Sequence, residues 1–159
     1  MLPLCYLFRV ASEPRAVWGD LVASAFVEAS PLFHTLDQEA RSDLLRVAEM
    51  LVYRPGEVVV RQGDPGDELF LVRDGSAAVQ IETGGISREV AYLDRGAVFG
   101  EFAASGNSPV RLATVSARTE LSVIRFPGAM VVALAARFPK VGKLLEALQA
   151  ARQRPGSPR

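Results

Sequence analysis

From Tyr53 to Phe126 the chain is cut by turn formers at intervals of roughly ten residues. They are Pro55-Gly56, "GDPGD" at 63–67, Asp74-Gly75, "TGG" at 83–85 and "DRG" at 94–96. A helix of ordinary length cannot run through such spacing, because proline removes a backbone donor and glycine favours the positive φ of tight turns. The runs between them are β-prone: "VVV", "LFLV", "AAVQI", "EVAYL", "RLATVSA" and "LSVIRF". Short strands joined by tight turns can bury an apolar face only by closing into an antiparallel sandwich or barrel. Within "AAVQI", Ala77, Val79 and Ile81 alternate with Ala78 and Gln80, which predicts one inward face.

The flanks read differently. Val17, Trp18, Leu21, Val22, Ala25 and Phe26 recur at helical spacing after Ser12 and Pro14, predicting an amphipathic helix over residues 12–30. A second helix is predicted over "TLDQEARSDLLRVAEML", capped by Thr35 or Asp37, with Ala40, Leu44, Val47, Ala48 and Leu51 on one face and its end before Tyr53. After Pro127-Gly128 the helical period returns in "AMVVALAARF" and, restarted by Pro139, in "KVGKLLEALQAAR". The predicted fold is α+β but mainly β: an antiparallel, jelly-roll-like β-roll with helices before it and two helices packed back on it. It divides into an N-terminal helical extension (1–30), a body (31–150) and a disordered tail or linker (151–159).

Composition narrows the function. With 49% apolar residues in 159, one domain can bury a real core. Eighteen basic residues balance eighteen acidic ones, so no broad field draws nucleic acid or anionic lipid, and any anion site has to be local. Cys5 is the one cysteine and His34 the one histidine, which rules out an intrachain disulfide and a zinc cluster built from those residue types. A lone cysteine fits a cytoplasmic setting. No run of about 18 apolar residues offers a membrane span. No nucleophile paired with a base can be assembled, so an enzyme is not expected. The abrupt start at "MLPLCYLFRV" and the "RQRPGSPR" end are compatible with a piece of a longer polypeptide.

The chemistry concentrates in "VFGEFAASGNSPVRLATV", residues 98–115. "GEFAAS" can form a single helical turn whose first N–H groups face an anion. Arg111 opens the next strand with a guanidinium fork suited to a phosphate. The Glu101 carboxylate, an acceptor, suits a donor such as a sugar hydroxyl. On spacing alone, Glu101 and Arg111 are equally readable as an internal ion pair closing the roll.

The order "RPGEVVVRQGDPGDELFLVRDGSAAVQI", "FGEFAASGNSPVRLATV" and "LAARFPKVGKLLEAL" resembles the cyclic nucleotide-binding domain found in cAMP receptor proteins, protein kinase A regulatory subunits and cyclic-nucleotide-gated channels. The likeness covers residues 30 to 150, and Phe-Gly-Glu followed by Arg-x-Ala-Thr is that family's phosphate-binding cassette. It implies that Glu101 takes the ribose 2′-hydroxyl and Arg111 the exocyclic phosphate. The remaining contacts would come from Gly100, Phe102 and Ala103, with Leu112 and Ala113 beside the arginine and Leu144, Leu145 or Leu148 as a lid over the base. It also implies cAMP as ligand, ahead of cGMP, with no cofactor or metal. The output would pass to an effector protein, a missing domain or a second copy in a homodimer.

Two departures stand out. Leu112 occupies a position where the family commonly has Ser, Thr or Ala, which removes a hydroxyl contact of about 0.5–1.5 kcal/mol and counts against cGMP in particular. Val110 separates Pro109 from Arg111, where many members run Pro-Arg directly. These departures support a competing expectation, a roll that no longer binds nucleotide and serves as a protein-interaction module. A DNA-reading factor would need a long dimer helix and a helix-turn-helix after residue 150. In the bland class, His34 reads as a surface residue, Cys5 as a small apolar side chain and "GDPGD" as a turn rather than a cation loop.

Overall fold

The structure, a computed structural model, describes residues 15–16, 34, 36–100 and 110–153. In chain order the elements are β1 (Arg15–Ala16), α1 (Gln38–Val47), β2 (Glu49–Tyr53), β3 (Val58–Val60), β4 (Leu69–Asp74), β5 (Ala77–Thr83) and β6 (Ile86–Leu93). They continue with β7 (Val98–Phe99), β8 (Thr114–Ala117), β9 (Leu121–Phe126), α2 (Gly128–Arg137) and α3 (Pro139–Gln153). Among the described residues every strand pairing is antiparallel, in a five-stranded sheet ordered β1-β2-β9-β4-β7 and a four-stranded sheet ordered β3-β8-β5-β6. The mainly β roll with two C-terminal helices is therefore the architecture the turn spacing predicts.

The continuous apolar runs are explained by two cores on opposite faces of the five-stranded sheet. Along β4, Leu69 and Leu71 join the helix-side core, while Phe70 and Val72 point into the roll. Along β9, Ile124 and Phe126 face the helices and Leu121 and Val123 the interior. A strand covered on both faces reads as an unbroken hydrophobic run rather than an alternation. The helix-side core is completed by Leu36, Ala40 and Leu44 around α1, Val131 and Leu134 of α2, and Val141 and Leu145 of α3. Burial at these positions fixes α2 and α3 against the roll.

Four sequence expectations are corrected. The second helix is shorter than its period predicts: α1 ends at Val47 and the chain turns at Ala48 into β2, which carries Leu51 as an inward strand residue. Pairing with β9 over Glu49–Tyr53 supplies hydrogen bonds that a helix there would forgo. Arg15–Ala16, inside the predicted first helix, is extended and pairs with Leu51–Val52; the rest of residues 12–30 lies outside the described residues. Ile81 is exposed rather than buried with Ala77 and Val79, because β8 covers β5 only as far as Gln80 and the end of the β5–β6 hairpin, residues 81–89, is exposed throughout. Finally, β8 begins at Thr114, so Arg111, Leu112 and Ala113 precede the strand. α3 runs to Gln153, one residue beyond the predicted "KVGKLLEALQAAR" helix, while 154–159 lie outside the described residues.

The "TGG" turn is as predicted. Gly84 and Gly85 sit at φ 61° and 79° between the paired Thr83 and Ile86, the two-residue hairpin geometry that needs positive φ at both central positions. Pro139 opens α3 directly after Phe138, as its role in a first turn predicts.

Candidate functional site

The site is built around one buried charge. Arg111 is the only charged residue that is buried among the described residues, and its side chain is 5% exposed. A cation taken from water needs compensating partners, and the loop at 63–68 supplies them. The backbones are joined first: the Gly63 N–H donates to the Arg111 carbonyl and the Arg111 N–H to the Asp64 carbonyl, both at 2.9 Å, and Pro65 bridges Val110. The guanidinium then donates from Nη1 to the Glu68 carbonyl at 3.0 Å and from Nη2 to the Glu68 carboxylate Oε2 at 2.6 Å. Its carbon lies 5.7 Å from the centre of the Phe70 ring, which itself stacks on Phe99 at 4.9 Å.

Two glycines make room for this side chain. A Cβ on Gly66 would come within 2.7 Å of Arg111 Nε and 2.9 Å of Nη2. One on Gly100, at the end of β7, would come within 2.9 Å of Nη1 and 2.4 Å of the Glu68 carbonyl. The planar fork therefore lies between two bare backbone surfaces. A side chain at either glycine would displace the guanidinium.

The predicted site residues fall into two groups. Gly100, Arg111, Leu112 and Ala113 are described; Glu101, Phe102 and Ala103, with the predicted helical turn around them, lie outside the described residues. Gly100 and Arg111 are brought together. Leu112 is 52% exposed beside the arginine, and Ala113 is half-buried against the roll core. Thr114, next along, accepts a hydrogen bond from the Gln62 N–H at 3.0 Å. Of the proposed lid residues, Leu145 is not available: it is buried in the helix-side core. Leu144 is half-buried, and the Leu148 side chain is outside the described residues.

Sequence reasoning missed Glu68 as the partner of Arg111. The two lie 43 positions apart, and no local pattern links them; "GDPGDELF" carries acids, but only the bridge between Pro65 and Val110 shows which of them meets the guanidinium. His34 is exposed, as a surface residue should be, and no group of His, Cys, Asp or Glu among the described residues is arranged to hold a metal ion. Among those residues no helix is long and apolar enough to cross a membrane.

Residues 50–138, more than half of the chain, match the family described as the cyclic nucleotide-binding domain. The chain is similar to the cAMP-dependent protein kinase regulatory subunit of Schizosaccharomyces pombe, 34% identical over 119 residues that make up 75% of this chain and 28% of that protein. It spans about a quarter of the length of that relative. Among solved structures it is similar to the Thermus thermophilus catabolite activator protein, at 32% identity and TM-score 0.68, covering 77% of this chain and 58% of that one. It shares its fold with the regulatory domain of Toxoplasma gondii protein kinase A crystallised with cAMP, at 23% identity and TM-score 0.71, covering 84% and 49%. This chain belongs to the cyclic nucleotide-binding domain family.

Proposed function

We propose that this chain is a regulatory sensor that binds a cyclic nucleotide, cAMP in preference to cGMP, and reports occupancy through the helices packed on its roll. The observation that carries the reading is the buried Arg111 guanidinium, held between Gly66 and Gly100 at the mouth of the 63–68 loop. A cation kept dry between two glycines, with a carboxylate at one edge, is suited to a phosphate diester, which would supply a second charge-assisted partner. In this reading Arg111 takes the exocyclic phosphate, Glu101 the ribose 2′-hydroxyl, and Gly100, Phe102, Ala103, Leu112 and Ala113 line the ligand. Residues 31–150 form the binding unit, with 1–30 as an extension and the end of the chain leading to whatever the sensor controls. It acts without metal, cofactor or catalysis in a cytoplasmic setting, through an effector protein or a further domain of the same polypeptide.

The test is calorimetric titration of the chain with cAMP, cGMP and, as a linear control, 5′-AMP. Saturable binding of cAMP at micromolar Kd or tighter, about −8 kcal/mol, with cGMP weaker and 5′-AMP absent, is the expected result. No heat and no thermal shift with any of the three would move the function to a second reading, a roll that binds a protein partner instead. That alternative is favoured by one arrangement: the Glu68 carboxylate already occupies Arg111 Nη2.

A further inference from the structure

At the far end of α2 from Arg111, acids from one part of the chain meet bases from another. Arg137, the last residue of α2, pairs with Glu39 and, at 3.2 Å from Nη1, with Asp43 Oδ2. Its guanidinium carbon lies 4.9 Å from the centre of the Phe138 ring. Lys140, in the first turn of α3, places Nζ 3.0 Å from Asp37 Oδ1. Asp37, Glu39 and Asp43 belong to α1 and its N-cap, so three ion pairs join α1 to the α2–α3 junction across sequence separations of 94 to 103 residues. These side chains are mostly exposed, and any one such pair is weak. Their concentration on one junction is what gives them a role.

The opposite end of α2 is seated on the Arg111 loop. A Cβ on Gly128 would fall 2.1 Å from the Asp67 carbonyl oxygen, so no space separates the first turn of α2 from the residue next to Glu68. An anion arriving at Arg111 brings negative charge beside the Glu68 carboxylate, which repels it. A shift of the 66–68 backbone would therefore reach Gly128 by contact, at one end of a ten-residue helix whose other end is Arg137.

We propose that Asp37, Glu39 and Asp43 form an electrostatic clamp on Arg137 and Lys140 that holds the α2–α3 junction and opposes ligand binding at Arg111. The occupancy half of this proposal rests on the cyclic nucleotide reading; the clamp itself does not. A clamp of exposed pairs suits the task, since a switch needs an opposing contact that differential ligand affinity can overcome.

The test compares the full chain with the Arg137→Glu and Glu39→Arg/Arg137→Glu variants by two readouts. In cAMP titration Arg137→Glu tightens Kd by about three- to tenfold, and the charge swap reverses at least half of that change on a logarithmic scale. In amide exchange without nucleotide, Arg137→Glu speeds exchange across 128–137 several-fold and the swap slows it again. Unchanged or weaker cAMP binding in Arg137→Glu overturns the coupling. Unchanged exchange, or a swap that restores nothing, overturns the clamp. If the parent chain binds no cyclic nucleotide, the sensor reading fails and with it the coupling, while the exchange readout still decides the clamp.

Discussion

Replacing Glu68 by Gln removes one charge and leaves an oxygen that can still accept from Arg111, so it isolates the electrostatic part of the contact that organises the site. The Arg111 side chain is 5% exposed and its Nη2 lies 2.6 Å from a carboxylate that is itself 34% exposed. Breaking a fully buried pair from one side costs about 3–5 kcal/mol, because the remaining charge is left uncompensated. Water reaches Glu68, which reduces the expected cost to about 1–3 kcal/mol. For a domain of this size each kcal/mol lowers Tm by about 2–4 °C, giving a fall of roughly 2–12 °C by calorimetry. The phosphate of cAMP supplies the negative charge that the substitution removes, so saturating cAMP raises Tm by more in Glu68→Gln than in the parent chain. A variant that melts within a degree of the parent, or gains less from cAMP, refutes the view that Glu68 and the phosphate are both charge partners of this guanidinium.

Three further outcomes follow from the same geometry. Gly66→Ala places a methyl 2.7 Å from Arg111 Nε; the guanidinium has to move, and cAMP binding should weaken at least tenfold, about 1.4 kcal/mol, whereas unchanged affinity in titration would show that the slot is not part of the site. Leu112→Thr restores a hydroxyl at an exposed position next to Arg111 and should raise cGMP affinity relative to cAMP several-fold; a flat ratio of the two Kd values would show that Leu112 does not set selectivity. Burial pushes the Tyr53 phenol from 10.0 up to about 12, so the folded state favours the neutral form. Its contribution is fully present below pH 10 and lost as pH rises through about 12, an extra loss of about 2 kcal/mol. Urea melts at pH 9 and pH 11.5 should show that loss in the parent chain and not in Tyr53→Phe; equal losses would assign it to other groups.

What the sequence discloses here is governed by how local the physics is. The turns were legible because positive φ is a single-residue demand, as at Gly84 and Gly85. The last two helices were legible because Pro127-Gly128 and Pro139 punctuate them. β2 was not: Leu44, Val47, Ala48 and Leu51 continue a helical period by coincidence, and only pairing with β9, which lies some 70 residues on, makes Glu49–Tyr53 a strand. The exposure of Ile81 depends on the β5–β6 hairpin running past the end of its pairing with β8, which alternation cannot foresee. The anion site was half legible in the same sense. Arg111 and Gly100 stand in a motif with fixed spacing, whereas Glu68 and Gly66 reach the guanidinium through tertiary contact alone. The Asp37, Glu39 and Asp43 contacts with Arg137 and Lys140 are likewise invisible until α1 and the α2–α3 junction are placed side by side.

The most direct measurement of the central claim is a cAMP titration of Arg111→Ala beside the parent chain, with folding of both confirmed by their far-ultraviolet spectra. A charge-assisted phosphate contact contributes about 1.5–3 kcal/mol, so the account predicts saturable binding in the parent and a Kd weakened by about tenfold to a hundredfold in the variant. Equal affinity in the two proteins would contradict it, because the buried guanidinium would then be a structural ion pair with Glu68 and the nucleotide would be held elsewhere.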